Sequence, residues 1–109
     1  MLKTDSLQGA LDLMVMKILS QRQRLHGYAI MTAIEESSEG ALRVEEGSLY
    51  PALRRMEEAG WLRAEWILRD GGRRARIYGL TTAGKKQLAA EESRWQAGTS
   101  AVNRVLKMA

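Results

Sequence analysis

A chain of 109 residues is one domain with a modest core and much surface for its volume, a size at which pairing with a second copy helps. Its 45% hydrophobic and 28% charged residues exclude disorder throughout, and the absence of cysteine excludes disulfides, thiolate chemistry and cysteine-type zinc sites. Seventeen Lys and Arg against thirteen Asp and Glu leave a net charge of +4, which favours polyanionic partners, while one histidine cannot form a His cluster.

The opening Met1-Leu2-Lys3-Thr4-Asp5 has no apolar run behind a basic start, and no later stretch is long enough to span a bilayer, so a cytoplasmic protein is expected. Asp5 or Ser6 can cap a first helix whose apolar face is Leu7, Leu11, Met14, Val15, Ile18 and Leu19, widened by Leu13 and Met16. A helix apolar over more than half its circumference packs on two sides, and a partner subunit is one candidate for the second. The polar run Ser20 to Arg24 ends it. His26-Gly27 then opens a short helix with Tyr28, Met31 and Ile34 inward, and Ser37-Ser38-Glu39-Gly40 breaks the pattern. His26 reads as a capping or packing residue rather than a ligand.

Val44 to Leu62 predicts a third helix with Leu49, Ala52, Leu53, Met56 and Ala59 on its buried side and Tyr50, Pro51, Arg54, Arg55 and Glu58 on its free side. Ser48 can cap it, Pro51 then falls where an amide has no intrahelical partner, and Gly60 stops it. Leu62, Ala64, Trp66 and Leu68 alternate with Arg63, Glu65 and Ile67, the period of a strand with one buried face, on which Trp61 and Trp66 are expected to pack. Arg69-Asp70-Gly71-Gly72-Arg73 supplies a turn, and Arg74 to Leu80 returns as a second strand with Ile77 on one face and Arg74, Arg76 and Tyr78 on the other. Thr81 or Thr82 caps a last helix with Leu88, Trp95, Val102 and Leu106 as a narrow seam, interrupted by Gly84 and Gly98. The methionines, Met14, Met16, Met31 and Met56 among them, read as core filler.

Helix, helix, outward helix and basic hairpin describe a winged helix, so the expected fold is mainly α with a small β-hairpin (α+β): a winged helix-turn-helix plus a C-terminal dimerisation helix. The expected division is 1–81 for DNA binding, with a first helix that also helps dimerise, and 82–109 for dimerisation. On the free face of the third helix, Tyr50 can reach a phosphate oxygen or lie half-buried on its neighbour helix. Arg54 can make a bidentate contact to guanine or pair with Glu57 or Glu58; Arg55 can pair with Glu58 or Glu45; Ser48 can donate to a phosphate or cap. Arg73, Arg74 and Arg76 make a cationic wing suited to phosphate or a narrow minor groove. The DNA-binding set is thus Ser48, Tyr50, Arg54, Arg55, Arg73, Arg74 and Arg76. No nucleophile and base pair can be assembled and no phosphate-cradling loop follows a strand, so an enzyme is not expected, nor any metal or cofactor.

Leu11 to Ser20, His26-Gly27-Tyr28, Val44 to Leu53 with its Gly-Ser-Leu-Tyr-Pro-Ala-Leu, Gly60-Trp61-Leu62, Glu65-Trp66 and Tyr78-Gly79-Leu80-Thr81-Thr82-Ala83-Gly84 together form a specific combination. The chain resembles the PadR-type transcriptional regulators, most closely a branch found in acidobacteria and their relatives. Members often carry an aromatic or polar residue where Gly79 stands. The resemblance implies a C-terminal helix that pairs with the first helix of a second subunit, giving a homodimer on a roughly palindromic double-stranded DNA operator. It implies a recognition helix holding Ser48, Tyr50 and Arg54 and a wing from Arg69 to Arg76. Leu11, Val15, Leu88, Trp95, Val102 and Leu106 are the expected dimer residues. Trp95 either walls a slot for a small aromatic effector, as the family's link to such inducers suggests, or fills the interface. The single C-terminal helix leaves little room for a separate effector domain. The expected function is a repressor acting sterically; the alternative is a winged-helix adaptor that docks an acidic protein and has no specific DNA target.

Overall fold

The computed structural model describes residues 2–3 and 9–108, so the proposed caps Asp5 and Ser6, and Leu7 with them, lie outside the described residues. The order is β1 (Leu2–Lys3), α1 (Ala10–Arg22), β2 (Arg24–His26), α2 (Gly27–Ser37), β3 (Leu42–Arg43), α3 (Glu46–Glu58), β4 (Leu62–Leu68), β5 (Arg74–Leu80) and α4 (Thr82–Met108). β1 and β3 pair in parallel, and β2, β5 and β4 form a three-stranded antiparallel sheet in that order. This is the winged-helix α+β architecture, with the short pair β1 and β3, and β2 beside the wing, in addition to the hairpin expected from sequence. β2 is too short and polar to show a period of its own; it exists because β5 offers an edge to Arg24, Leu25 and His26.

The core lies between α1, α2 and α3. Met16, Leu19, Ile30, Leu49, Leu53 and Met56 are its largest fully buried side chains, and Leu11, Leu13 and Met14 pack partly buried against it. Of the methionines expected as filler, Met16, Met31 and Met56 are in it. α4 packs along α1 with Lys17 Nζ 3.3 Å from Glu92 Oε2, so one of the two apolar sides of α1 is met within the chain.

His26 begins α2 as a cap, its Nδ1 accepting from the Ala29 amide at 3.2 Å. The inward stripe of α2 is Gly27, Ile30, Met31, Ala33 and Ile34, and Tyr28 is not part of it. At about 100° per residue Tyr28 stands about a sixth of a turn beyond the Met31 edge of the stripe, and it is 67% exposed.

α3 starts earlier than its sequence suggests. The cap position is Glu45, in extended backbone with no side-chain cap bond, and Ser48 is the third helical residue, its amide donating to the Glu45 carbonyl. Pro51 is therefore inside the helix, not in the first turn, and has no amide hydrogen to return to the Gly47 carbonyl. Leu49, Ala52, Leu53 and Met56 are buried as expected, but Ala59 is exposed because it already belongs to the terminus. That terminus is closed by Gly60 at φ 85: its amide donates to the Glu57 carbonyl and the Trp61 amide to the Met56 carbonyl, both at 3.0 Å.

β4 and β5 run in register from Leu62 opposite Leu80 to Leu68 opposite Arg74, joined by a 3-10 turn over Asp70–Gly72 in which both glycines have positive φ. The apolar alternation of β4 is buried only at its base. Leu62 is in the core and Ala64 against it, whereas Trp66 and Leu68 are exposed because the hairpin projects past the helices. Tyr78, across from Ala64, is buried at the base, and that burial pushes its phenol pKa above the ordinary 10.0 despite the opposing charge of Arg76.

Thr81 caps α4, its Oγ1 accepting from the Gly84 amide at 2.9 Å. The helix is continuous over 27 residues, so neither glycine breaks it. Gly84 is there because the helix crosses the Trp61 carbonyl: a Cβ would fall 2.2 Å from that oxygen. No described helix is long and apolar enough to cross a membrane.

Candidate nucleic-acid interface

The free face of α3 and the wing beside it carry the seven residues expected to touch DNA, and the structure sorts them by their partners. Tyr50 is exposed on α3, and its ring lies on the first residue of α2. A Cβ at Gly27 would stand 2.6 Å from the Tyr50 hydroxyl oxygen and 2.8 Å from two ring carbons, so only glycine admits the ring there. Gly27 thereby makes room for a side chain 23 residues away, and Tyr28 and Tyr50 both present phenols near the amide end of α2. Arg54 is exposed one turn further on and has no ion pair among the described residues. With Tyr50, Pro51, Arg55 and Glu58 it lines a hollow of about 410 Å³.

Arg55 is committed elsewhere. Neither Glu58 nor Glu45 holds it; its Nη2 donates at 2.6 Å to both carboxylate oxygens of Asp12 on α1. Arg76 is likewise paired, donating to Glu57 of α3 at 2.8 Å with both side chains about one-third exposed. Glu57, an expected partner of Arg54, is thus turned to the wing. Two of the five arginines in the set have their charge compensated within the chain, which leaves Arg54, Arg73 and Arg74 as the members of the set without an ion pair among the described residues. Ser48 is half-buried in the first turn of α3 and bonded, so it serves the helix start.

Sequence reasoning passed over two aromatic residues at this surface. Spacing alone puts Tyr28 inward, whereas the structure exposes it. Trp66 was placed on a buried strand face but is 55% exposed, with the guanidinium carbons of Arg74 and Arg76 at 4.8 and 5.0 Å from its ring centroid. The signal that could have found it is the register: Trp66 stands directly opposite Arg76.

The expected dimer residues divide along their helices. Val15 is fully buried and Leu88 nearly so, both in the core of the chain itself, where neither can face a partner; Leu11 is half-buried. Beyond Leu88 the seam is bare: Trp95 is 41% exposed, and Val102, Val105 and Leu106 more so. Among the described residues no group of three or more His, Asp or Glu side chains is placed to hold a metal ion.

Residues 15–90 match the model of the transcriptional regulator PadR-like family. A transcriptional regulator of Thermoplasma acidophilum shares 27% identity and the fold with a TM-score of 0.80, over 94% of this chain and 96% of its own. A PadR family transcriptional regulator of Eggerthella lenta is 28% identical with a TM-score of 0.75, over 97% and 94%. A Clostridium thermocellum regulator, 21% identical, has the same fold with a TM-score of 0.84 over 95% and 97%.

Proposed function

This chain belongs to the PadR-like family of transcriptional regulators and is a DNA-binding protein of that family, and we propose that it is a repressor that occupies a palindromic operator as a homodimer. The observation that carries this reading is that Arg54 on α3 and Arg73 and Arg74 on the wing are exposed cations without an ion pair among the described residues, on two elements tied together by Arg76 and Glu57. In it α3 lies in the major groove, Arg54 reads a base edge, Tyr50 fixes register on a phosphate and the wing holds the neighbouring backbone. Arg55 and Arg76 leave the set of direct contacts, since each would first have to give up a carboxylate.

The division of labour falls at 81/82. Residues 1–81 bind DNA, and the outer half of α4 pairs with a second copy through Trp95, Val102, Val105 and Leu106, exposed apolar groups that the chain itself leaves uncovered. Two such copies place recognition helices about 34 Å apart, one turn of duplex. Trp95 fills that interface, and relief of repression by a flat aromatic effector would take the form of a molecule entering between two indoles. Selecting bound fragments from the source genome, followed by footprinting, tests the reading: a protected site with two-fold symmetry is expected. A chain with no footprint and little affinity for duplex DNA at physiological salt is instead the protein-docking adaptor.

A further inference from the structure

Trp66, like Leu68, is a large apolar side chain that the wing leaves exposed. More than half of its surface is in water, on a hairpin that projects past the core, where a polar residue would cost nothing. What the indole does have is two guanidinium groups over it. Arg76, its cross-strand neighbour, and Arg74, one step further along the same face of β5, stand at 5.0 and 4.8 Å from the ring centroid, within the range where a cation is held by an aromatic face. The two differ in what else they touch. Arg76 donates to Glu57 on α3, so its charge is met and the wing is tied to the recognition helix; Arg74 has no ion pair among the described residues.

We propose that Trp66 is a positioning residue for DNA binding, its indole linking α3 to the wing through Arg76 and holding the guanidinium of Arg74 ready for a backbone phosphate. This rests on the DNA-binding reading above. An arginine on a free hairpin loses rotamer freedom when it meets a phosphate, and holding it beforehand removes that loss from the binding step. The backbone of the wing is set by the β4–β5 ladder and its 3-10 turn, and Trp66 acts on the side chains that the ladder presents.

The test is titration of the full chain and its variants with the selected operator fragment and with an unrelated duplex, at several salt concentrations. Trp66→Ala is expected to weaken both duplexes by a factor of about two to five, the size of an exposed cation–π contact. Its plot of log affinity against log salt is expected to flatten by about one phosphate contact. Trp66→Phe, which keeps an aromatic face, is expected to recover most of the loss, and Arg74→Ala to cost less in the Trp66→Ala background than alone. Trp66→Ala binding as well as wild type while Arg74→Ala alone weakens both duplexes would overturn the inference. So would a loss with unchanged salt slope that Trp66→Phe shares. A wild-type chain that binds neither duplex overturns the DNA-binding reading itself, and the inference with it.

Discussion

Arg54 and Arg73 carry the same charge but are expected to fail differently. Arg54→Ala should relax base preference while leaving affinity for unrelated DNA nearly unchanged, whereas Arg73→Ala should weaken every sequence and flatten the salt dependence. Titrations against the operator and one-base variants decide it, and equal loss on every sequence for Arg54→Ala would remove its base-reading role. Tyr78 gives a pH signature. Burial favours its neutral phenol, so its folded pKa stands above the unfolded value of 10.0; the stability it contributes is whole below about pH 10 and is lost as pH rises through the folded pKa. Denaturant midpoints from pH 8 to 11 should therefore fall less steeply for Tyr78→Phe than for wild type or for a Tyr28→Phe control on the surface. Two glycines of one helix make an opposed pair. Gly84→Ala forces a Cβ onto the Trp61 carbonyl and should destabilise by about 1–3 kcal/mol, while Gly98→Ala, with open space around it, should stabilise by roughly 0.5–1 kcal/mol in thermal unfolding. At this scale sequence reasoning separated residue types well and partners poorly. Nothing in the spacing of Arg55 points to Asp12, 43 positions away, because that pair exists only once α1 and α3 cross.

Among the elements, α3 and the wing behave as one body through Arg76 and Glu57. Glu57→Gln removes an acid from the DNA side of α3 and leaves Arg76 uncompensated, so binding to all duplexes should tighten and its salt dependence steepen by about one. An unchanged slope would mean that Arg76 points away from the DNA. The pair being partly exposed, thermal stability should move little. The helices were legible from period and stop signals: Leu49, Ala52, Leu53 and Met56 are buried as their spacing demands, and Gly60 closes α3 where it should. The start of α3 was not, because Ser48 is a good cap by residue type and the residue at the cap position, Glu45, makes no side-chain capping bond. β2 was invisible for a related reason, since three residues paired to an edge leave no pattern in the chain. Trp66 and Leu68 alternate like a buried strand, and only the reach of the hairpin beyond the core says otherwise.

For the whole molecule, the fold class was readable from element order alone, while the assembly is a matter of what remains uncovered. The outer half of α4 exposes Trp95, Val102, Val105 and Leu106, and sedimentation should give twice 12.2 kDa. Val102→Glu should yield monomers that keep the fold, by circular dichroism, and bind operator DNA poorly; a wild-type monomer at micromolar concentration would contradict the pairing. In the proposed dimer the separation of two such copies depends on the joint at Thr81. Thr81 is bonded on three sides: its amide donates to the Trp61 carbonyl at 3.0 Å, its hydroxyl reaches the carbonyls of Gly60 and Trp61, and its Oγ1 receives the Gly84 amide. The segment that closes α3 and the first turn of α4 are thus tied at one residue. A helix of 27 residues is a lever of about 40 Å, so a tilt of roughly 3° at that knot carries its far end through about 2 Å. If the chain pairs through α4 as proposed, its tolerance for operators of unequal spacing should follow the stiffness of Thr81 and its four bonds, far from any base.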